Sequence, residues 1–250
     1  MNLICCPHAG GGKIFYSKWM RSFNKEIEFH VMSYPKRDEL VRMRMPSSIQ
    51  KLAELIFLRN RELFEDDYAI WGHSMGSIVG YELAQICIER LGNVPMIFFA
   101  SGAKAPCDYS DMCIQYNMPE DSLREVLKEY GGVPKEALYS KELTDYLFPI
   151  IREDFRLINQ YQESEIRRLK APIILMNGNE DLIETENWSL YAEDGVEEWE
   201  YNGGHFFITD ERKNLVQRME SVIMEQMRKE QEQYAFDTMG EERMLSREWK

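Results

Sequence analysis

Tyr68-Ala69-Ile70-Trp71-Gly72-His73-Ser74-Met75-Gly76-Ser77-Ile78-Val79-Gly80-Tyr81-Glu82-Leu83-Ala84 is the stretch that decides the fold. Its first four residues form an apolar run of buried-strand character, and the residues from Ser77 onward open a helix. Between them lies Gly72-His73-Ser74-Met75-Gly76, which reads G-x-S-x-G. A strand, a tight turn and a helix are the context in which this motif lifts a serine hydroxyl clear of a sheet edge. The glycines let the backbone pass close to its neighbours on a strained turn. An ordinary Gly-rich turn with an incidental serine has the same local pattern, because short motifs recur by chance. The rest of the chain has to separate the two readings.

Outward from the elbow, strands and helices alternate. Leu3 to Cys6 reads as a short buried strand, ended by Pro7-His8-Ala9-Gly10-Gly11-Gly12. A helix is expected around Phe15 to Phe23 and a strand over Ile27 to Tyr34, stopping at Pro35. Pro46-Ser47-Ser48 starts a helix with a capping serine, and Ile49, Leu52, Leu55, Ile56 and Leu63 give it an apolar stripe. A further strand spans Pro95 to Ala100. This order implies a mostly parallel central sheet with helices on both faces.

The alternation then breaks. From 107 to 168 only helical patterns occur, and Pro149 is expected to end or kink one of these helices. A helical insertion between two strands suggests a lid over the carboxyl edge of the sheet, where ligands bind, although a bundle packed elsewhere as support has the same pattern. Strands return at Pro172 to Met176 and around Val196 to Tyr201, and Leu215, Met219, Val222, Ile223 and Met227 mark a last helix. The expected organisation is a core of residues 1–106 and 169–227, a lid of 107–168, and a polar C-terminal tail of 228–250, frayed or mobile.

Composition bounds the function. A chain of 250 residues that is 44% hydrophobic suits one α/β domain. A formal charge of -13 argues against a nucleic-acid binder. Five cysteines without a C-x-x-C pair indicate neither a disulfide framework nor a zinc site, so no metal is expected. Cys5 and Cys6 should point to opposite faces of their strand as core filler. No stretch reads as a signal peptide or a membrane span, so a cytoplasmic location is the expectation, and separately a monomer.

A serine hydroxyl needs an adjacent base held by a third group. On a strand–turn–helix of this kind the partners follow in the order Ser, Asp or Glu, then His. Asp181 lies in Asn177-Gly178-Asn179-Glu180-Asp181, a turn-rich loop after a strand, with Glu180 and Glu184 as spare candidates. A turn-forming aspartate is the plainer reading of that loop. Of the four histidines, His30 lies within a strand, His73 sits on the elbow, and His8 precedes the serine. That leaves His205, in Gly203-Gly204-His205-Phe206-Phe207, as the general base. Two backbone N–H groups should form an oxyanion hole: Met75, after the nucleophile, and Ala9 in the Gly-rich loop. A phosphate-binding loop is the alternative for these glycines, but neither G-x-G-x-x-G nor G-x-x-x-x-G-K-[ST] is present.

With these residues in place, the chain resembles the type II thioesterases, the stand-alone editing hydrolases of nonribosomal peptide and polyketide synthases. The likeness runs from Leu3 to about Met227. It rests on Cys6-Pro7-His8-Ala9-Gly10-Gly11 with Phe15-Tyr16 and Trp19, on Trp71 to Gly76, on Gly131-Gly132-Val133-Pro134 and Arg152-Glu153-Asp154-Phe155-Arg156, and on the Asp181 and His205 segments. The resemblance implies an α/β-hydrolase fold and attack by Ser74 on a thioester carried by the phosphopantetheine arm of a carrier-protein domain. In that implied scheme His205 takes the proton, Asp181 orients the imidazole, and Met75 and Ala9 hold the oxyanion, with no cofactor of the enzyme's own. Where the family often has Pro-Gly-Arg, this chain has Pro35-Lys36-Arg37. Lys13, Lys18, Lys36, Arg37, Arg42 and Arg44 are candidates for a basic patch facing an acidic carrier. Open alternatives are a hydrolase of acyl-CoA or small esters with the same triad, an inactive carrier-binding module, and acyl transfer in place of hydrolysis.

Overall fold

Six strands, β1 (Asn2–Cys6), β2 (Glu28–Val31), β3 (Tyr68–His73), β4 (Phe98–Ser101), β5 (Ile173–Gly178) and β6 (Val196–Tyr201), form one sheet in the computed structural model, which describes residues 1–110, 116–163 and 165–248. Their order is β2-β1-β3-β4-β5-β6 and every pairing is parallel. All six residues of β3 are buried, as a strand covered on both faces requires. At the far edge, β6 exposes Glu197, Glu198 and Glu200, charges that oppose pairing with another strand.

Eight helices accompany the sheet among the described residues: α1 (Lys13–Tyr16), α2 (Ile49–Arg59), α3 (Met75–Leu91), α4 (Glu120–Tyr130), α5 (Lys135–Tyr139), α6 (Lys141–Asn159), α7 (Phe207–Asp210) and α8 (Arg212–Glu248). The period of two along β1 splits the core in the expected way. Ile4 and Cys6 join Ile70, Phe98 and the buried sides of α2 and α3. Leu3 and Cys5 join Trp71, Phe99 and Trp199 under α1 and α8. Ser48 caps α2, its hydroxyl accepting from the Lys51 N–H at 3.2 Å.

Three elements differ from the sequence expectation. The helix expected over Phe15 to Phe23 is only the four residues of α1, because Tyr16 and Trp19 turn inward onto Trp71 with ring centroids 5.7 and 4.5 Å away. The strand expected to reach Tyr34 stops at Val31; beyond it, among the described residues, only the Met32 N–H still reaches β1, at Cys5 O, 2.9 Å. Helix α6 runs through Pro149 without ending. An internal proline costs about 3 kcal/mol. Burying Phe148, Ile150, Ile151 and Phe155 returns about 1.5–3 kcal/mol each, and packing wins.

Helix α8 continues through the polar segment to Glu248. Residues 111–115 and 164 of the expected lid, and 249–250 of the expected tail, lie outside the described residues. No helix among the described residues is long and apolar enough to cross a membrane.

The strand order places the site. The chain leaves β1 toward β2 on one side, then returns past it to β3 on the other, so the carboxyl ends of β1 and β3 diverge at a topological switch point. Ligands of open parallel sheets bind in that crevice. The loop after β1 carries Ala9, and the turn after β3 carries Ser74.

Candidate active site

Ser74 sits at φ 56°, ψ -122°, a left-handed conformation that a non-glycine residue adopts only under local constraint. The constraint is visible on both sides. A Cβ on Gly76 would lie 1.9 Å from the Cys6 carbonyl oxygen, and one on Gly72 would lie 2.3 Å from the Gly76 carbonyl oxygen. Only glycine lets the elbow close against β1. The Ser74 N–H donates to Ser101 O at 2.7 Å, and the Ser77 hydroxyl donates to Gly72 O at 2.9 Å, so buried serines clasp the turn from α3 and β4. Ser101 Oγ also lies 2.9 Å from His73 Nδ1.

The loops after β5 and β6 are laced together. Asn179 Oδ1 accepts from the Gly203 N–H at 3.1 Å, and the Glu180 N–H donates to Gly203 O at 3.0 Å. A Cβ on Gly178 would meet Gly203 O at 2.2 Å, so the two loops touch through backbone. This brings Asp181 Oδ2 to 2.7 Å from His205 Nδ1, with both side chains largely buried. Glu184 is engaged elsewhere, with Lys104 at 3.0 Å, and Glu180 is exposed. An Nδ1–H bonded to a carboxylate fixes the tautomer and leaves Nε2 with its lone pair free. Ser74 lines the same cavity as this pair, but among the described residues its hydroxyl makes no hydrogen bond to His205. Such contacts are often open before substrate binds.

Two of the other histidines, His8 and His73, form an uncharged surround. The His73 ring lies 5.2 Å from that of His205, and the His8 ring lies 5.9 Å from that of His73. Burial pushes His8 down to about 3, with His205 and Arg37 adding repulsion. Burial, then His205 and His8, drives His73 well below the ordinary imidazole range. Both rings are therefore neutral at pH 7 and are packing partners.

In the loop after β1, the Gly11 N–H closes a turn onto His8 O at 2.9 Å, with Gly10 at φ 78°. The Gly10 N–H is already spent: it donates to Asp154 Oδ2 at 2.7 Å. The N–H groups of Ala9 and Met75 have no partner among the described residues, and both residues line the cavity. Two free donors beside a strained serine can stabilise an oxyanion.

Arg37 corrects an expectation. It is no part of a surface basic patch: it is 3% exposed and grips Asp154 with Nη2 at 2.6 and 2.7 Å while Nη1 donates to Gly11 O at 2.8 Å. Lys36, where the resembled family often has glycine, takes a left-handed φ of 73°. Lys13 of the same supposed patch pairs with Glu39 at 3.0 Å.

Sequence reasoning did not single out Asp154, Ser77 or Ser101. Asp154 had a signal. It stands three residues after Ile151 and four before Ile158, an acid inside the apolar stripe of α6. The cavity is about 1000 Å³; Leu127, Leu147, Ile151 and Phe155 from α4 and α6 give it an apolar wall opposite Ser74.

A parallel sheet with a serine elbow after its third strand, and an acid and a histidine on the loops after its fifth and sixth, defines an α/β-hydrolase. Its solved likenesses agree: the chain matches ClbQ from the colibactin NRPS/PKS pathway with TM-score 0.83 at 25% identity, covering 90% of this chain and 98% of that one. It matches the RedJ thioesterase from the prodiginine biosynthetic pathway in Streptomyces coelicolor with TM-score 0.81 at 27% identity, over 88% and 89% of the two chains. Among sequence relatives, the gramicidin S biosynthesis protein GrsT of Aneurinibacillus migulanus is 26% identical over 226 residues, 88% of this chain and 87% of its own. The thioesterase domain model matches residues 1–223, and the chain belongs to that family as a thioester hydrolase.

Proposed function

We propose that the chain releases acyl groups from the phosphopantetheine arm of carrier-protein domains in nonribosomal peptide or polyketide synthases, clearing stalled or mis-primed carriers. The observation that carries the reading is the Asp181–His205 pair at 2.7 Å, facing the same cavity as Ser74 and the unpartnered N–H groups of Met75 and Ala9. The biosynthetic relatives support the choice of substrate, since GrsT and ClbQ are named for such pathways.

In this reading Ser74 Oγ attacks the thioester carbonyl carbon as His205 Nε2 takes its proton. The carbonyl π electrons move to oxygen, where Ala9 and Met75 N–H groups receive the charge. Collapse expels the pantetheine sulfur, which leaves as a thiol with the proton from His205. Water, deprotonated by the same Nε2, then attacks the acyl-serine. The second tetrahedral species releases the acid and returns the proton to Ser74. Asp181 holds Nδ1–H throughout and stabilises the imidazolium. Helices α4 to α6 act as the lid that shapes the acyl pocket and admits the arm.

The test compares one acyl group presented three ways, as acyl-carrier protein, acyl-CoA and nitrophenyl ester, by kcat/KM. Preference for the carrier-bound thioester is expected. A strong preference for the ester, or no difference between carrier and CoA, overturns the editing assignment. A fluorophosphonate probe should label Ser74 in the same protein; a folded chain that resists labelling would point to an inactive carrier-binding module.

A further inference from the structure

The oxyanion loop has no regular structure to hold it. Among the described residues, Gly12 O accepts from the Phe15 and Tyr16 N–H groups of α1, but residues 7–11 have one backbone bond, Gly11 N–H to His8 O, and otherwise depend on side chains. Tyr34 holds Pro7 O through its hydroxyl at 3.1 Å, and the centre of the turn is held by a side chain of the helical insertion. Asp154 on α6 is 0% exposed; it accepts from the Gly10 N–H at 2.7 Å and from Arg37 at 2.6 and 2.7 Å. Arg37 closes the ring by donating to Gly11 O at 2.8 Å. The turn is therefore gripped at two successive residues by one ion pair. Ile151, one turn back on α6, fills the space over Gly10, where a Cβ would come within 2.7 Å of its Cγ1.

The cost of building this pair argues that it does more than fill space. A buried ion pair is a weak source of net stability, because both charges are desolvated. Burial raises the Asp154 carboxyl above its usual range, against the pull of Arg37 and the Gly10 N–H. Arg37 is aimed inward by a loop whose residues on either side, Lys36 at φ 73° and Asp38 at φ 48°, are both left-handed and strained. An apolar pair would pack α6 to the sheet without these costs. It could not orient peptide groups.

We propose that Asp154 and Arg37 are positioning residues for the oxyanion hole. By holding the Gly10 N–H and the Gly11 carbonyl they fix the plane of the neighbouring peptide and so the direction of the Ala9 N–H, and they tie that direction to the seat of helix α6. The consequence is that the insertion and the oxyanion hole are one mechanical unit: a shift of α6 on substrate entry moves the donor. This rests on the proposed role of Ala9 in thioester hydrolysis.

The experiment uses the full chain with a pantetheine thioester and two inhibitors. One is a trifluoromethyl ketone, which forms a hemiketal on Ser74 and needs the hole; the other is the matching thioether, which binds only as ground state. Asp154→Asn keeps the shape, Arg37→Lys keeps the charge but loses the fork, and the double variant Arg37→Met/Asp154→Leu removes both charges so that neither is left unpaired. In Asp154→Asn and in the double variant, kcat per titrated active site should fall about tenfold or more, a misaimed donor costing part of the roughly 10²–10³-fold that a missing one costs. KM and thioether affinity should stay within about twofold while trifluoromethyl ketone affinity falls in parallel with kcat. Arg37→Lys, which keeps the charge, should lose less than either. If kcat per active site is unchanged in the folded variants, or both inhibitors weaken equally, the pair is structural and the proposal is wrong. If the unmodified chain hydrolyses no thioester at all, the failure lies in the proposed function and not in the positioning role.

Discussion

The two walls of the cavity are built on different terms. On the sheet side, backbone meets backbone: a Cβ on Gly76 would stand 1.9 Å from Cys6 O, and one on Gly178 would stand 2.2 Å from Gly203 O. On the insertion side, the close approaches are to side chains: a Cβ on Gly132 would meet the Phe206 ring at 2.4 Å, and one on Gly10 would meet Ile151 at 2.7 Å. Cys6 O, in a paired strand, cannot move without breaking the ladder, and Gly203 O is held by the Glu180 N–H at 3.0 Å, whereas a ring or an isoleucine can change rotamer. The sheet edge is thus the fixed half of the site, suited to groups that must keep their geometry. The insertion is the adaptable half, suited to acyl chains of different shape.

The largest test of the fixed half is chemical. Ser74→Ala should lower thiol release from a pantetheine thioester by about 10⁴-fold or more, and Asp181→Asn by about 10³–10⁴-fold by disturbing the His205 tautomer. Melting temperatures should stay close to the parent in both, because neither change touches the core. Activity that survived Ser74→Ala would move the nucleophile elsewhere and dissolve the distinction between the two walls.

A pair of alanine substitutions tests the geometry itself. Gly76→Ala should cost more than about 3 kcal/mol, since β1 or the elbow must move to admit the methyl, and little folded protein is expected in thermal or urea unfolding. Gly132→Ala faces a nominal clash almost as severe, yet Phe206 can swing away. Its left-handed φ of 78° adds a strain of about 1–2 kcal/mol. A stable protein is expected, about 2 kcal/mol weaker, with a several-fold higher KM. Equal damage from the two substitutions would sink the contrast.

What could be read from the residues follows the same division. The elbow was legible because its chemistry is local: a buried run, two glycines and a helix start lie within seventeen residues of one another. Asp181 and His205 were legible by chain order and by their strand-end loops, and their 2.7 Å contact accords with that order. The Arg37–Asp154 bond joins positions 117 apart, and Gly10 to Asp154 spans 144. No periodicity encodes a pairing of that kind, so Arg37 read as one more surface cation. Ser77 and Ser101 were hidden for a related reason, because a hydroxyl that braces a turn looks like any small residue in a helix or a strand. Pro149 was read by its local rule as an end or a kink of a helix, and tertiary packing carries the helix past it without an end.

The smallest effect separates the walls by acid. His8 and His73 both belong to the sheet side, at the ends of β1 and β3, and both are held neutral by burial. An imidazole whose folded value lies below its unfolded one, 6.5, leaves the unfolded chain binding more protons. Its stabilising effect is complete above that value and is lost as pH falls from 6.5 toward the folded value. For His8, pushed down to about 3, the loss should reach about 1.4 kcal/mol at pH 5.5, with His73 acting in the same direction. Urea unfolding of the parent and of His8→Asn at pH 7.5 and 5.5 measures it. The drop between the two pH values should be smaller in the variant by about 1.4 kcal/mol, whatever the substitution costs at pH 7.5. An unchanged drop would mean that His8 carries a proton in the folded state, and the uncharged surround of His205 on the fixed wall would have to be abandoned.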